Sequence, residues 1–108
     1  MTEKGKKYVS DALRATDLIE DFIADTPDFD FYQEDLKTQS AVERQLAIIG
    51  EALNKLKQVQ PDIAVQNGKQ IIAFRNRLIH AYDSIDNAIV WVILKKHLPE
   101  LKREIAFL

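Results

Sequence analysis

The sequence predicts an all-α fold, namely an antiparallel helical bundle of four main helices plus a short C-terminal helix, and a chain that dimerises. Apolar residues recur at helical spacing along most of the chain, and no strand-like alternation or hairpin dipeptide interrupts them. With only 3 Gly and 3 Pro in 108 residues, the composition disfavours a loop-rich or disordered chain. We therefore expect residues 1–108 to form a single domain.

The first predicted helix begins at Tyr8 and ends before Pro27, because proline disfavours a helical conformation at the residue that precedes it. The segment Asp25–Asp35 then carries five carboxylates, three aromatic residues and no Lys or Arg. We expect a solvated connector that its aromatic side chains attach to the core. Binding of a basic partner surface is the alternative interpretation of this segment.

The second predicted helix is the longest, from Asp35 to Val59. Gly50 lies inside it, where glycine costs about 1 kcal/mol relative to alanine, so we expect a neighbouring backbone to come close, a partner helix being one candidate. Its apolar surface either packs within the chain or also covers a second subunit. A heptad-like seam marks the main apolar face, formed by Val42, Leu46, Ile49, Leu53 and Leu56.

Three shorter helices are predicted after the connector that runs from Gln60 to Gly68. The third helix begins near Lys69 and runs towards Tyr82. Asp83 and Ser84 supply N-cap chemistry for a fourth helix that ends near His97. Pro99 suits the first turn of a last helix, Pro99–Phe107.

The composition excludes several classes of protein. A net charge of −2 argues against the broad basic face of a protein that coats nucleic acid, although a small focused RNA site remains compatible with it. Without Cys there is neither a disulfide nor a thiolate site, and His80 and His97 are too few for a metal cluster unless carboxylates supply the other ligands. We therefore expect no metal and no cofactor.

The sequence also bears on cellular location. The longest apolar run, Ala88–Leu94, is far shorter than the roughly 18 residues that a membrane-spanning helix needs. The basic N-terminus is followed by no apolar stretch of the kind found in a cleaved signal peptide. These observations favour a cytoplasmic protein.

Groups able to carry chemistry concentrate between Arg75 and Tyr82, where two arginines, an asparagine, a histidine and a tyrosine stand among apolar positions. Arginine presents donors that match phosphate oxygens, and histidine exchanges protons near neutral pH. On an ideal helix Asn76 and His80 share one face, whereas Arg75 and His80 diverge by about 140°. Arg75 reaches the target of His80 through its long side chain, through distortion near the helix end, or from a second subunit in a twofold dimer.

Two functions suit this set of residues. A cation that holds phosphate beside a proton-transfer group is suited to RNA cleavage without a metal, in which the 2′-hydroxyl attacks the adjacent phosphorus. The same residues also suit a simple phosphate-binding site. The sequence shows no aromatic platform for stacked bases, so it predicts no preference for a particular RNA.

The segment resembles the HEPN superfamily, specifically the HepT-like toxins, whose signature of Arg, four residues, His, any residue and Tyr corresponds to Arg75, His80 and Tyr82. The segments Thr38–Ala52 and Ile89–Leu101 are also typical of the family, and the resemblance covers nearly the whole chain. This sequence departs from the family in two places. The connector lacks the tryptophan that often precedes the third helix, and Ala73-Phe74 replaces a Gly-Met pair.

The resemblance implies a homodimeric, metal-independent ribonuclease that acts as the toxin of a type VII-like toxin–antitoxin pair. It implies that His80 is the acid/base, that Arg75 binds phosphate and the transition state, and that Asn76 orients the site. The implied antitoxin is a minimal nucleotidyltransferase that adenylylates Tyr82. The alternative is a non-catalytic helical module that binds a nucleotidyltransferase or presents its substrate.

Overall fold

The protein is a bundle of helices that pack around one apolar core. This computed structural model describes the backbone of all 108 residues and every side chain except that of Tyr82. No β-strand occurs in the described chain, which confirms the predicted all-α class. The helices are α1 Glu3–Ile23, α2 Phe29–Glu34, α3 Leu36–Val59, α4 Lys69–His80, α5 Asn87–Val92 and α6 Leu98–Ile105.

Helix α3 occupies the centre of the bundle and packs against both α1 and α4. The backbone N–H of Thr2, before α1, donates to Oε1 of Gln60, after α3, at 2.6 Å, so these two helices run antiparallel. Lys102 on α6 reaches Glu20 on α1 at 2.8 Å and connects the ends of the bundle. The predicted seam forms the core of α3, where five residues are at most 3% exposed: Val42, Leu46, Ile49, Leu53 and Leu56.

Helix α1 begins earlier than predicted. The prediction placed its start at Tyr8, but the Thr2 hydroxyl accepts a hydrogen bond from the backbone N–H of Gly5 at 3.0 Å and caps a helix that starts at Glu3. The apolar pattern missed this turn because its side chains face solvent, so the cap alone marks the start of the helix.

The acidic connector contains the short helix α2, which the sequence did not predict. Asp28 caps it by accepting from the backbone N–H of Phe31. Tyr32 is fully buried, and its ring lies 5.4 Å from that of Trp91 on α5, so the predicted attachment through aromatic residues is confirmed. Phe31, by contrast, remains 52% exposed.

The last third of the chain differs from prediction in two ways. The N-cap of α5 is Asp86, whose carboxylate accepts from the backbone N–H of Ala88 at 2.8 Å, rather than Asp83 or Ser84. Pro99 stands in the first turn of the last helix, α6, as predicted, but no break separates α5 from α6, because the chain continues through a widened turn, Ile93–His97.

The widened turn explains how the helix accommodates a proline. The backbone N–H of Leu98 bonds to the carbonyl of Ile93, five residues earlier, which loosens the helix just before Pro99. Proline has no backbone N–H to donate. In the first turn of α6 the missing donor costs the helix little hydrogen bonding. Of the helices that the structure describes, none combines the length and apolarity needed to cross a bilayer.

Candidate active site

The start of α4 is held in place by the last helix. The Glu104 carboxylate on α6 accepts hydrogen bonds from the backbone N–H groups of Gln66 and Asn67, at 2.7 and 2.9 Å, and from the Asn67 side chain at 3.0 Å. These residues form the turn that leads into Lys69, the first residue of α4. Helix α4 ends at His80 instead of running to Tyr82, because Ala81 adopts a non-helical conformation.

Gly50 is the point at which α3 and α4 come closest to the site. A Cβ atom on Gly50 would lie 2.6 Å from Cβ of Arg75 and 3.1 Å from the carbonyl oxygen of Ile71. The expected close backbone is therefore confirmed, and it belongs to α4 of the same chain. A glycine is required here because any side chain would push Arg75 away.

The guanidinium of Arg75 lies between two helices and is only 25% exposed. Its Nη2 atom forms an ion pair with Oε2 of Glu51 on α3, and Nη1 donates to Oδ1 of Asn76 at 3.2 Å. The Glu51 oxygen that faces the guanidinium is itself buried, whereas the Glu51 side chain as a whole is 38% exposed. Lys55 lies 3.5 Å from the other oxygen of Glu51. The result is a positioned arginine whose charge is partly balanced.

Asn76 and His80 lie on the solvent side of α4, and both are exposed. No hydrogen bond joins the imidazole of His80 to any residue with a described side chain. Arg75, in contrast, turns towards α3, which agrees with the 140° divergence expected for residues five apart. A single copy of the chain therefore brings Arg75 to Asn76 but leaves His80 apart from Arg75.

Tyr82 follows α4 within a single helical turn, Tyr82–Ser84. Its side chain lies outside the described part of the chain, so its adenylylation stays a prediction. Asp83 and Ser84, the next two residues of the chain, are exposed.

A groove between α1, α3 and α4 opens beside Arg75. We call it the α1–α3–α4 groove, and its volume is about 570 Å³. Burial raises the pKa of Glu43, one of its acidic residues. Its lining includes aromatic, charged and apolar side chains, among them Tyr8, Arg44, Glu51, Lys55, Arg75 and Ile79.

Sequence reasoning missed the partners of Arg75. Glu51 lies 24 positions earlier on a different helix, and no periodicity within one helix relates the two residues. The one signal was the unexplained Gly50 next to it. Among the side chains that the structure describes, no cluster of three or more metal-binding residues forms.

Comparisons with known proteins cover most of the chain. The family model described as "Ribonuclease HepT-like" matches residues 12–108. The chain is 38% identical over 106 residues to "Probable ribonuclease HepT" of Thermococcus cleftensis, covering 94% of this chain and 93% of that protein. No solved structure matches the chain.

Two further relatives extend the comparison. A "Putative RNase" of Methanocaldococcus jannaschii is 31% identical over 104 residues, covering 93% of this chain and 92% of that protein. A "Putative RNase" of Caldanaerobacter subterraneus is 34% identical over 77 residues, covering 70% and 68%. The matched region contains Arg75, Asn76 and His80 together with the helices that position them. This chain belongs to the ribonuclease HepT-like family.

Proposed function

We propose that this protein is an endoribonuclease that cuts RNA without a metal ion. The observation that carries the proposal is the position of Arg75. Its side chain pairs with Glu51 and fits against Gly50, and it stands on the same helix as the exposed His80. Family membership supports it, since relatives bear ribonuclease names. RNA is the substrate class that this assignment implies.

The proposed reaction is an internal transesterification. His80 takes the proton of the 2′-hydroxyl, whose oxygen attacks the adjacent phosphorus, and the protonated imidazole then returns that proton to the 5′-oxygen as the P–O5′ bond breaks. Arg75 donates to the phosphate oxygens as negative charge builds up on them. Asn76 bonds to Arg75 and orients it. The products are a cyclic 2′,3′-phosphate end and a free 5′-hydroxyl.

The cleft is proposed to form between two copies of the chain. Arg75 and His80 point in different directions in one copy, and a twofold axis across α4 would bring the arginine of one copy to the histidine of the other. The solvent side of α4 is exposed from Ala73 to His80 except where it meets α3, and Ile89 and Val92 nearby are 43% and 50% exposed. Exposed apolar residues of this kind favour a protein interface.

The proposed biological role is that of a cytoplasmic toxin in a type VII-like toxin–antitoxin pair. A cognate minimal nucleotidyltransferase would neutralise it by adenylylating Tyr82. The added nucleotide carries a phosphate, and in the turn directly after α4 its negative charge would occupy the cation that RNA needs. The resemblance of the segment Arg75–Tyr82 supports this role.

Cleavage by variant proteins tests the proposal. In the presence of a chelator, we expect purified wild type to cut RNA, and His80→Ala and Arg75→Ala to cut about 10²- to 10⁴-fold more slowly. Arg103→Ala, which removes an exposed arginine on α6, serves as the control and should cut like wild type. Circular dichroism checks that each variant is folded. Undiminished cleavage by both site variants would reject the assignment.

A non-catalytic helical module that binds a nucleotidyltransferase is the second candidate, since Arg75 in one copy is paired with Glu51 and apart from His80. Growth assays separate the two functions. We expect wild type expressed without its partner gene to arrest growth and His80→Ala not to. Mass spectrometry of Tyr82 after co-expression with the neighbouring gene then tests its modification. An unmodified Tyr82 in a neutralised toxin would refute adenylylation.

A further inference from the structure

The α1–α3–α4 groove is lined by Arg75 and by further basic side chains on the two other helices. Lys7 on α1 and Arg44 and Lys55 on α3 line it together with Arg75. Lys7 bonds to Asp11 at 2.9 Å, and Lys55 lies 3.5 Å from Glu51, whereas Arg44 forms no ion pair with any described carboxylate. Three carboxylates, of Asp11, Glu43 and Glu51, line the same groove, so the cations most available to a ligand are the unpaired Arg44 and the loosely paired Lys55.

Tyr8 supplies an aromatic ring in the same groove. The ring is partly exposed, and the ammonium groups of Lys7 and Lys55 lie 5.9 and 6.0 Å from its centre. These distances are at the outer edge of the range for a cation–π contact, so the two ammonium groups leave the face of the ring largely free. Sites for single-stranded nucleic acid combine an aromatic surface for a base with basic side chains for the backbone. Tyr8 supplies the aromatic surface here, and the neighbouring lysine and arginine side chains supply the positive charge.

The size of the groove sets what it can hold. A volume of about 570 Å³ lies in the usual range for small-molecule sites. Because Arg75 lines one side of the groove, a ligand there would lie next to the phosphate that Arg75 contacts. The leucine and isoleucine at the adjoining edge, Leu78 and Ile79, add apolar surface that suits a base better than a free phosphate ion.

We propose that the α1–α3–α4 groove is a subsite for the single-stranded RNA nucleotide beside the cleaved linkage. The base of this nucleotide stacks on Tyr8, and Arg44 and Lys55 contact its phosphate. The subsite rests on the proposed function, because it takes Arg75 as the group that it shares with the reaction. It also provides the stacking surface that the sequence did not reveal, since Tyr8 is far from Arg75 along the chain.

RNA binding by an inactive protein tests the subsite. The probe is a short labelled single-stranded RNA of mixed sequence, bound to the His80→Ala variant and followed by fluorescence anisotropy. Tyr8→Leu keeps apolar contact with the core but removes the ring, and we expect binding about 5- to 100-fold weaker. Lys55→Ala should also weaken binding and lower its salt dependence. Tyr8→Phe, which keeps the aromatic ring, should bind RNA as tightly as the protein that retains Tyr8.

Lys57→Ala is the matched control, because Lys57 is exposed on the same helix but does not line the groove. It should bind RNA like the parent protein. Undiminished binding in both Tyr8→Leu and Lys55→Ala would overturn the proposal, and the exposed Lys55 keeps the test valid should Tyr8→Leu fail to fold. A change of oligomeric state in Lys55→Ala would also overturn it, because the groove would then be a contact between subunits.

Cleavage by active protein separates this proposal from the proposed function. If wild type cuts RNA and Tyr8→Leu has an unchanged KM, the subsite is wrong and the ribonuclease assignment stands. If wild type cuts no RNA yet binds it through Tyr8 and Lys55, the ribonuclease assignment is wrong and the groove is a binding site alone. A raised KM in Tyr8→Leu supports both.

Discussion

At the scale of single residues, two neighbours on α3 decide where the Arg75 guanidinium lies. Gly50 leaves the space that Cβ of Arg75 fills, and Glu51 supplies the carboxylate that its Nη2 atom meets. Arginine is always charged and presents several donors in one plane, so one face can bind Glu51 while other N–H groups remain for a phosphate. The position of this side chain therefore depends on residues that have no direct part in the chemistry.

Gly50→Ala tests this dependence. An alanine would improve helix propensity, but its Cβ would overlap Arg75 and approach the rigid carbonyl of Ile71, so we expect a net loss of about 1–2 kcal/mol and slower RNA cleavage. Thermal unfolding and cleavage rate measure the two effects. Gly5→Ala is the control, because its Cβ would meet side-chain atoms, the nearest being Cγ of Met1 at 2.8 Å, rather than a backbone carbonyl, and it should leave the cleavage rate unchanged. A more stable Gly50→Ala with full activity would contradict the argument.

At the scale of helices, polar side chains determine where one element ends and the next begins. The buried Gln39 on α3 donates to the carbonyl oxygens of Tyr32 and Gln33 at 2.8 and 2.9 Å, and it accepts from Asn87 at 3.3 Å. This amide ties the end of α2 and the start of α5 to α3. Glu104 does the same for the turn before α4. Glu104 therefore fixes the start of the site helix, and Gln39 fixes the helix that follows it.

Asp35 gives the junction of α2 and α3 a dependence on pH. Hydrogen bonds from the Thr38 hydroxyl and backbone N–H, at 2.6 and 3.2 Å, lower the pKa of the Asp35 carboxyl. Because the pKa is lower in the folded protein, this stabilisation is present above the ordinary value of about 4 and is lost as pH falls through the folded value.

Asp35→Asn therefore has an effect that changes with pH. We expect the variant to melt a few degrees below wild type at neutral pH, with the difference shrinking in acid, because asparagine can still cap the helix but carries no charge. Melting curves at several pH values measure it. Asp30→Asn, an exposed acidic residue on α2, is the control and should show a smaller difference. A gap in melting temperature that stays constant down to acid pH would contradict the assigned role.

At the scale of the whole molecule, the proposed shared site depends on an assembly of two copies. One copy places Arg75 in the α1–α3–α4 groove and His80 on the solvent side, and the proposed cleft draws the two residues from two copies. Residues of α4 and α5 line a shared groove at which Ile89 and Val92 are exposed. A twofold interface there uses one surface twice, which is the simplest closed assembly.

Mixed dimers test whether the site is shared. When Arg75→Ala and His80→Ala chains are co-expressed with different tags, the mixed dimer contains one site with both residues intact, and we expect it to recover a substantial part of wild-type cleavage. Each variant dimer purified alone is the control and should stay inactive. No recovery in a mixed dimer of confirmed composition would show that each copy carries its own site, and a monomeric wild type would exclude sharing altogether.

The sequence alone predicts the helices, the buried seam of α3 and the segment that carries Arg75, Asn76 and His80. Apolar periodicity and the residue spacing within one helix are local properties, so they can be identified from the sequence alone. The same reasoning missed α2 and the widened turn before α6, because a polar cap marks the first and the helix continues without a break through the second.

Only the tertiary structure decided how the polar residues are used. The pairing of Arg75 with Glu51, the closeness of Gly50 to Arg75, and the meeting of Tyr8 and Lys55 in one groove all join residues on different helices. Such contacts depend on the angle and register at which helices pack, and these follow from side-chain shape along the whole interface. A linear pattern specifies which face of each helix is buried, whereas packing in three dimensions specifies which residues of two faces touch.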